Sequence, residues 1–525
     1  MVVPELRPWR AARPHVTRLA NAVRPGLAAA RPQLARAANA VKPQVKRLTT
    51  VKTWQYTTGA ATAGLALTAV VVTAAGPWDS TGQRTAERDR VAALQDTGGA
   101  DHDRGSGTTA GAPEPAPSAS SVLAGLGGAT NTVKSAPNGE ALSAVLGPLL
   151  KDGALGSRRT AAVVDVATGK RLYGVGADAA LTPASTTKIA TAVAALSAMG
   201  PDHRLTTRTA LEPGTHELVL VGGGDPTLTA RKDAEGWASL RDLAVKTAKA
   251  LKKDGVRKVT LSYDTTLYAG SALHPIGVDA NLALVSPLMA DEARTNDSTS
   301  GTAVRAPDPA DDAARKFAAF LADEGIETTS PGPSKATDRA ETLAEVSSPP
   351  LSTLVERMLT NSDNDIAEAL ARQTAVATKT RPDFEGGGKA IRAQLKKLQL
   401  PVAGVSFKDG SGLNRDDKLT ADLLTSLLAK AGDPGHPELR SVLTGLPVAG
   451  FTGTLTTRYT PDGAAGVVRA KTGTLTGVNT LAGTVVDQDG RLLAFAFLAS
   501  NTASKDAAQA ALDRAATALA ACGCG

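Results

Sequence analysis

The sequence predicts an α+β fold: an antiparallel sheet flanked by helices on both faces and interrupted by an inserted domain. Three observations carry that expectation. Strand candidates stand at both ends of the region 138–525, helical patterns stand between them, and 161 residues separate Gly200 from Ser362. A gap of that size is too long for a loop, and strands bracketing helices make a layered sheet-and-helix domain.

Residues 1–55 hold eleven Lys or Arg against one acid, Glu5, a balance of +10, so the remainder of a chain of net charge +7 carries −3. The basicity belongs to a tail, and no nucleic-acid partner is expected for the body of the protein. Ala12-Arg13-Pro14 through Pro25 recurs as Ala30-Arg31-Pro32 through Pro43, an offset of eighteen residues. The recurrent prolines break any long helix, so the segment reads as a basic cytoplasmic tail. Beside a membrane it would be drawn to anionic lipid.

From Thr57 to Ala75 there is no charge, and the length suits one bilayer crossing. Residues 56–76 are expected to be a transmembrane anchor with the N-terminus cytoplasmic and the rest outside. The alternative is a secreted protein released by signal cleavage near Thr73-Ala74-Ala75, but the upstream region is much longer than a signal-peptide n-region. Residues 77–137 are rich in Gly, Ser, Thr, Pro and Ala. Such a composition cannot bury enough surface to offset its ordering entropy, which makes it a disordered tether.

Periodic apolar sequence begins at Ala141–Leu150. Ala161–Val166, a turn at Thr168-Gly169 and Arg171–Tyr173 read as an antiparallel pair. Pro183 then opens a helix that Gly200 closes. Residues 204–345 are expected to form the inserted domain, with strand candidates Leu218–Val221 and Val259–Ser262 and a helix over Trp237–Lys252. Residues 138–203 and 346–525 form the main domain, completed by strands at Val467–Leu475, Thr480–Val486 and Arg491–Leu498 and a helix at Ser504–Ala521.

The chemistry concentrates in three short motifs. Ser185 and Lys188 lie three apart at a helix start, on one face, where the helix dipole favours developing negative charge. Ser362-Asp363-Asn364 and Lys471-Thr472-Gly473 follow in that order, each the only instance of its pattern. The order Ser-x-x-Lys, Ser-x-Asn, Lys-Thr-Gly is that of penicillin-binding proteins and serine β-lactamases. The six histidines, His15, His102, His203, His216, His274 and His436, sit in no triad signature. A lysine base is therefore needed, and Lys188 serves only if its pKa falls from about 10.4 toward 7, roughly 4 kcal/mol, through burial and a nearby charge such as Lys471. Asp225, Asp363 and Asp409 read as turn or solvated residues. Cys522 and Cys524 fit neither a zinc nor a Cys-x-x-Cys redox spacing.

Further stretches narrow the resemblance: Gly222-Gly223-Gly224-Asp225-Pro226-Thr227-Leu228, Ser348-Pro349-Pro350-Leu351, Asp409-Gly410-Ser411-Gly412-Leu413, Leu446-Pro447-Val448-Ala449-Gly450 and Gly453-Thr454-Leu455. Together with the motifs, region 138–525 resembles the D-alanyl-D-alanine carboxypeptidase/endopeptidase family, the low-molecular-mass class C penicillin-binding proteins. The insertion is shorter than in well-known members. The resemblance implies a penicillin-binding/serine β-lactamase-like fold, peptidoglycan stem peptides as substrate and β-lactams as covalent inhibitors. It implies that Ser185 is the nucleophile, Lys188 its base and Ser362 a proton relay. Asn364 would bind the substrate amide, Lys471 and Thr472 its carboxylate, while Gly473 leaves room for the peptide. The N–H groups of Ser185 and Thr474 would form the oxyanion hole. No metal or organic cofactor is implied. Two other readings share the motifs: a serine β-lactamase, for which no Glu-x-x-Leu-Asn deacylation motif is present, and a non-enzymatic wall-binding sensor or scaffold.

Overall fold

The computed structural model describes residues 139–459 and 463–523. The basic tail, the apolar segment 56–76 and the tether lie outside the described residues. Among the described residues no helix is long and apolar enough to cross a membrane.

The chain enters through helix α1 (Gly139–Leu150) and a hairpin of β1 (Arg158–Asp165) and β2 (Arg171–Val175). Asp165 shapes the turn by accepting a hydrogen bond from the Thr168 N–H (2.8 Å). A single 3-10 turn at Ala184–Thr186 leads into α2 (Thr187–Met199), so Ser185 precedes the α-helix by one turn rather than lying within it. Gly200 ends α2 at φ 85°, donating its N–H to Leu196, a conformation that glycine adopts without a Cβ penalty.

Next come β3 (Thr206–Leu211), β4 (Glu217–Val221), α3 (Leu240–Lys253), β5 (Lys258–Asp264), α4 (Pro309–Asp323), the short β6 (Glu327–Thr328) and β7 (Gly332–Pro333), and β8 (Glu341–Ser347). They form a second sheet in the order β6-β5-β4-β3-β8, with β7 also paired to β5. Helix α3 starts three residues later than the apolar pattern suggests, because Ser239 caps it by accepting from the Asp242 N–H (3.1 Å). The path enters on β3 and leaves on β8, which are antiparallel neighbours with Thr206 opposite Ser347. The two ends therefore meet, and the excursion leaves the first sheet uninterrupted.

The remaining elements are α5 (Leu351–Asn361), α6 (Asn364–Ala377), α7 (Phe384–Lys397), α8 (Ala421–Gly432), α9 (Arg440–Thr444), β9 (Arg469–Leu475), β10 (Val478–Val486), β11 (Leu492–Ser500) and α10 (Lys505–Ala520). The first sheet runs β2-β1-β11-β10-β9 with every pair antiparallel. Its strands are apolar on both sides, and alternation sorts the residues. Ala162, Val164, Ala494, Ala496 and Leu498 face a core built from α2, α5, α6, α7 and α8. Ala161, Val163, Leu493, Phe495 and Phe497 face α1 and α10. A fully buried Leu or Phe contributes roughly 1.5–3 kcal/mol, so both faces need their helices.

Candidate active site

The nucleophile candidate sits on a strained turn held from two sides. Ala184 has φ 49°, a left-handed conformation unusual for a residue with a Cβ. Thr186 donates its hydroxyl to the Pro183 carbonyl (2.7 Å), and Thr480 of β10 donates to the same oxygen (2.8 Å). Gly412 and Gly473 close on this turn, and only their lack of a side chain permits it. A Cβ on Gly412, at φ 83°, would collide with the Ala184 carbonyl; one on Gly473 would collide with the Thr480 hydroxyl and lie 2.7 Å from the Pro183 oxygen. Gly473 thus makes room for the serine turn, a different job from the expected clearance for a peptide. Gly473→Ala should lower stability by roughly 1–3 kcal/mol, the usual cost of overpacking, and slow labelling at Ser185. Thermal unfolding checks this, and an unchanged Tm would contradict the packing described.

Lys188, in the first turn of α2, is fully buried. Its Nζ lies 2.7 Å from Asn364 Oδ1, 2.8 Å from the Ser411 carbonyl and 3.0 Å from Ser185 Oγ. A neutral amine has two N–H donors and one lone pair. The two carbonyl oxygens take up the donors, which leaves the lone pair for the serine hydroxyl. Burial pushes the Lys188 amine down to about 8, while Asp409, Glu368, Asp363 and Asp365 pull it upward. Lys471 is also fully buried, and its Nζ donates to Ser362 Oγ (2.8 Å) and to the Thr472 carbonyl (2.9 Å). Burial, and then the Lys188 charge, hold it well below the usual lysine range. Burial, one of the two causes expected from the sequence, depresses Lys188 against the pull of four carboxylates, and the repulsion between the two amines adds to the lowering of Lys471.

The second motif sits at a helix-to-helix joint. Helix α5 ends at Asn361, Ser362 turns left-handed at φ 58° with its N–H on the Met358 carbonyl, and Asp363 caps α6 by accepting from the Ile366 N–H (3.0 Å). Asp363 is therefore a buried cap and not a solvated neighbour. Burial and the adjacent Glu292 raise its carboxyl well above the usual range. Asn364 donates Nδ2 to the Asn281 carbonyl (3.0 Å), which orients the amide so that Oδ1 meets Lys188.

Ser185, Ser362, Asn364, Thr472 and Thr474 line one cleft of about 520 Å³. Lys188, Lys471 and Gly473 lie buried behind its wall. Thr454 shares a hydrogen bond with Thr472 (2.8 Å), and Gln509 donates to the Thr474 hydroxyl (3.1 Å). Sequence reasoning assigned no role to Asn281, Glu368, Ser411, Thr454 or Gln509. Ser411 and Thr454 lie in stretches that carried the resemblance; the others gave no signal. Among the described residues, two groups bring three potential metal-ligand atoms together: His274, Glu368 and Asp409, and Glu292, Asp363 and Asp365. Backbone N–H groups occupy the Glu368 and Asp409 carboxylates, and Arg294, Arg305 and Arg357 pair with the second group. A serine hydroxyl beside a buried amine, facing an open cleft, can carry out acyl transfer.

Comparison with known proteins agrees with this geometry. The model of the D-Ala-D-Ala carboxypeptidase 3 (S13) family matches residues 142–296 and 293–521. The chain is 34% identical over 429 residues to a carboxypeptidase of Mycobacterium tuberculosis, covering 79% of this chain and 90% of that protein. It is 37% identical over 384 residues to carboxypeptidase DacB of Mycolicibacterium smegmatis, covering 70% and 81%. The crystal structure of penicillin binding protein 4 (dacB) from Haemophilus influenzae aligns over 72% of this chain and 98% of that one, with TM-score 0.58 at 22% identity, which shows a shared fold. The matches span both halves of the first sheet and all three motifs, and the chain belongs to the D-Ala-D-Ala carboxypeptidase 3 (S13) family.

Proposed function

We propose that this protein is a serine D,D-peptidase that removes the terminal D-Ala from peptidoglycan stem peptides, or cuts D,D-cross-links, through an acyl-Ser185 intermediate. The observation that carries the reading is the Lys188 Nζ, 3.0 Å from Ser185 Oγ with Asn364 and Ser411 accepting its hydrogens. The Ser185 oxygen attacks the carbonyl carbon of the penultimate D-Ala as Lys188 takes the hydroxyl proton. The resulting oxyanion rests on the N–H groups of Ser185 and Thr474, each such donor typically worth ~2.7–4 kcal/mol. When the C–N bond breaks, the proton that Lys188 took passes by way of Ser362, held by Lys471, to the leaving amine. The amine departs as free D-Ala and leaves Lys188 neutral to take a proton from the deacylating water. Water then attacks the acyl-enzyme and frees the serine.

Asn364 keeps one Nδ2 hydrogen for the substrate amide. The Thr472 and Thr474 hydroxyls meet the terminal carboxylate, with Lys471 directly behind Thr472. β-Lactams acylate the same serine as their ring amide opens. In the proposed organisation the peptidase domain (138–203 and 346–525) carries the insertion 204–345. It stands outside the cell on the tether 77–137, held by the anchor 56–76 with the basic tail in the cytoplasm. Purified protein given a stem pentapeptide ending in D-Ala-D-Ala should release one D-Ala per peptide, and penicillin should block the release. Cross-linked dimers test the endopeptidase arm. Failure to process either substrate, in a folded sample, would contradict the reading.

A further inference from the structure

Two of the three hydrogen-bonded contacts that hold the Lys188 amine trace back to α6. Asn364 touches the amine directly (2.7 Å). Four residues further along the same helix face, Glu368 accepts from the Ser411 N–H (2.9 Å) and from the Gly410 N–H (3.1 Å to either oxygen). The carbonyl of that same Ser411 receives the Lys188 amine (2.8 Å). Glu368 is 1% exposed, and no part of it reaches the cleft. Burying a carboxylate is costly, and the proposed chemistry uses none of its atoms.

We propose that Glu368 is a positioning residue for Lys188: it fixes the Ser411 carbonyl against the amine, and its negative charge, alongside that of Asp409, favours the protonated amine and so raises the pH at which Ser185 is acylated. The inference rests on the reading of Lys188 as the base. His274 completes the arrangement from the other side. Its Nε2 lies 3.0 Å from Asp409 and 3.8 Å from Glu368, and its Nδ1 accepts from the Ile276 N–H (3.2 Å). With Nδ1 accepting, Nε2 carries the proton that faces the two acids. Asp409 in turn accepts from the Gly412 N–H (2.7 Å) and the Asn414 N–H (2.6 Å). The whole turn that presents Ser411 is therefore gripped by two buried acids, and a histidine from residues 204–345 touches one of them.

The charged groups facing Lys188 are Asp409, Glu368, Asp363, Asp365 and Lys471. Those around Glu368 are Asp409, Asp417, His274, Arg372 and Lys188. Burial, with Asp409, pushes the Glu368 carboxyl up to about 7, and burial leaves Lys188 at about 8. Glu368 is mostly ionised where the lysine titrates, so its charge favours the protonated, inactive amine. Removing that charge frees the amine at lower pH.

The test is the second-order rate of acylation by a fluorescent penicillin, measured from pH 5.5 to 10 on the full chain and on three variants. Glu368→Gln keeps an acceptor for the two N–H groups and loses the charge; its rising limb should move down by about one pH unit, the lower end of the effect of a nearby charge. Glu368→Asp keeps the charge but falls one methylene short, so the midpoint should stay and the rate should drop about tenfold, the equivalent of one charge-assisted hydrogen bond. Lys188→Met should remove the rising limb. An unshifted midpoint in Glu368→Gln would overturn the inference and leave Glu368 a structural residue. Should Glu368→Gln not fold, Glu368→Asp decides alone, since a moved midpoint or an undiminished rate overturns it equally. A Lys188→Met variant with the wild-type profile would instead overturn the base assignment.

Discussion

Ser185→Ala should lose covalent labelling by penicillin and D-Ala release completely, while its unfolding transition stays close to that of the parent. The serine hydroxyl is the only side-chain atom removed, and its one hydrogen-bond contact in the structure is with the Lys188 amine (3.0 Å). The turn that carries it is held instead by the Pro183 carbonyl, which accepts from Thr186 and Thr480, and by the close approach of Gly412 and Gly473. No backbone support is lost with the hydroxyl. Ser362, the other serine of the cleft, has its Oγ engaged by the fully buried Lys471 (2.8 Å). Intact mass after penicillin treatment reads the outcome, and residual labelling would mean that the nucleophile is elsewhere.

Lys188→Met should slow acylation by about 10² to 10⁴, the usual contribution of a positioned general base, and abolish its dependence on pH near 8. The unbranched Met side chain replaces most of the lysine stem, so the fully buried site is refilled and not emptied. The sign of the pH effect follows from the amine. Below about 8 Lys188 is protonated and has no lone pair for the Ser185 hydroxyl; as pH rises through that value the base appears and the rate climbs. A variant that keeps both the rate and the rising limb would remove Lys188 from the chemistry.

Much of this architecture was legible in the sequence for local reasons. Ser185, Lys188, Ser362, Asn364, Lys471, Thr472 and Thr474 sit in short motifs whose spacing is set by one turn of helix or one strand. The hairpin β1–β2 and the strands β10 and β11 announce themselves by runs of apolar residues between turns. What stayed hidden depends on contacts between distant parts of the chain. His274 meets Asp409 across 135 positions, and Asn364 meets Asn281 across 83; no periodicity records such a meeting. Asp363 looked solvated because acids usually are, yet its cap on α6 and its place beside Glu292 and Arg357 bury it. The parallel pairing of β4 with β5 escaped notice for the same reason, since either strand alone fits an antiparallel or a parallel neighbour.

Lys471 shows how a correct motif can carry an incomplete role. Its position in the strand is fixed by the motif, but its full burial behind Thr472 could be seen only once β9 was packed against the Ser185 turn. Lys471 holds the Ser362 hydroxyl from behind the wall, and Thr472 and Thr474 line the cleft itself. Thr454 and Gln509 hydrogen-bond the hydroxyls of those two threonines.

The most direct test of the central claim is an intact-mass time course of the protein after a pulse of penicillin, with the adduct located by peptide digestion. The account predicts a single adduct of one penicillin per chain, persistent over minutes, on the peptide that contains Ser185. An adduct on any other residue, or none in a folded sample, would contradict it.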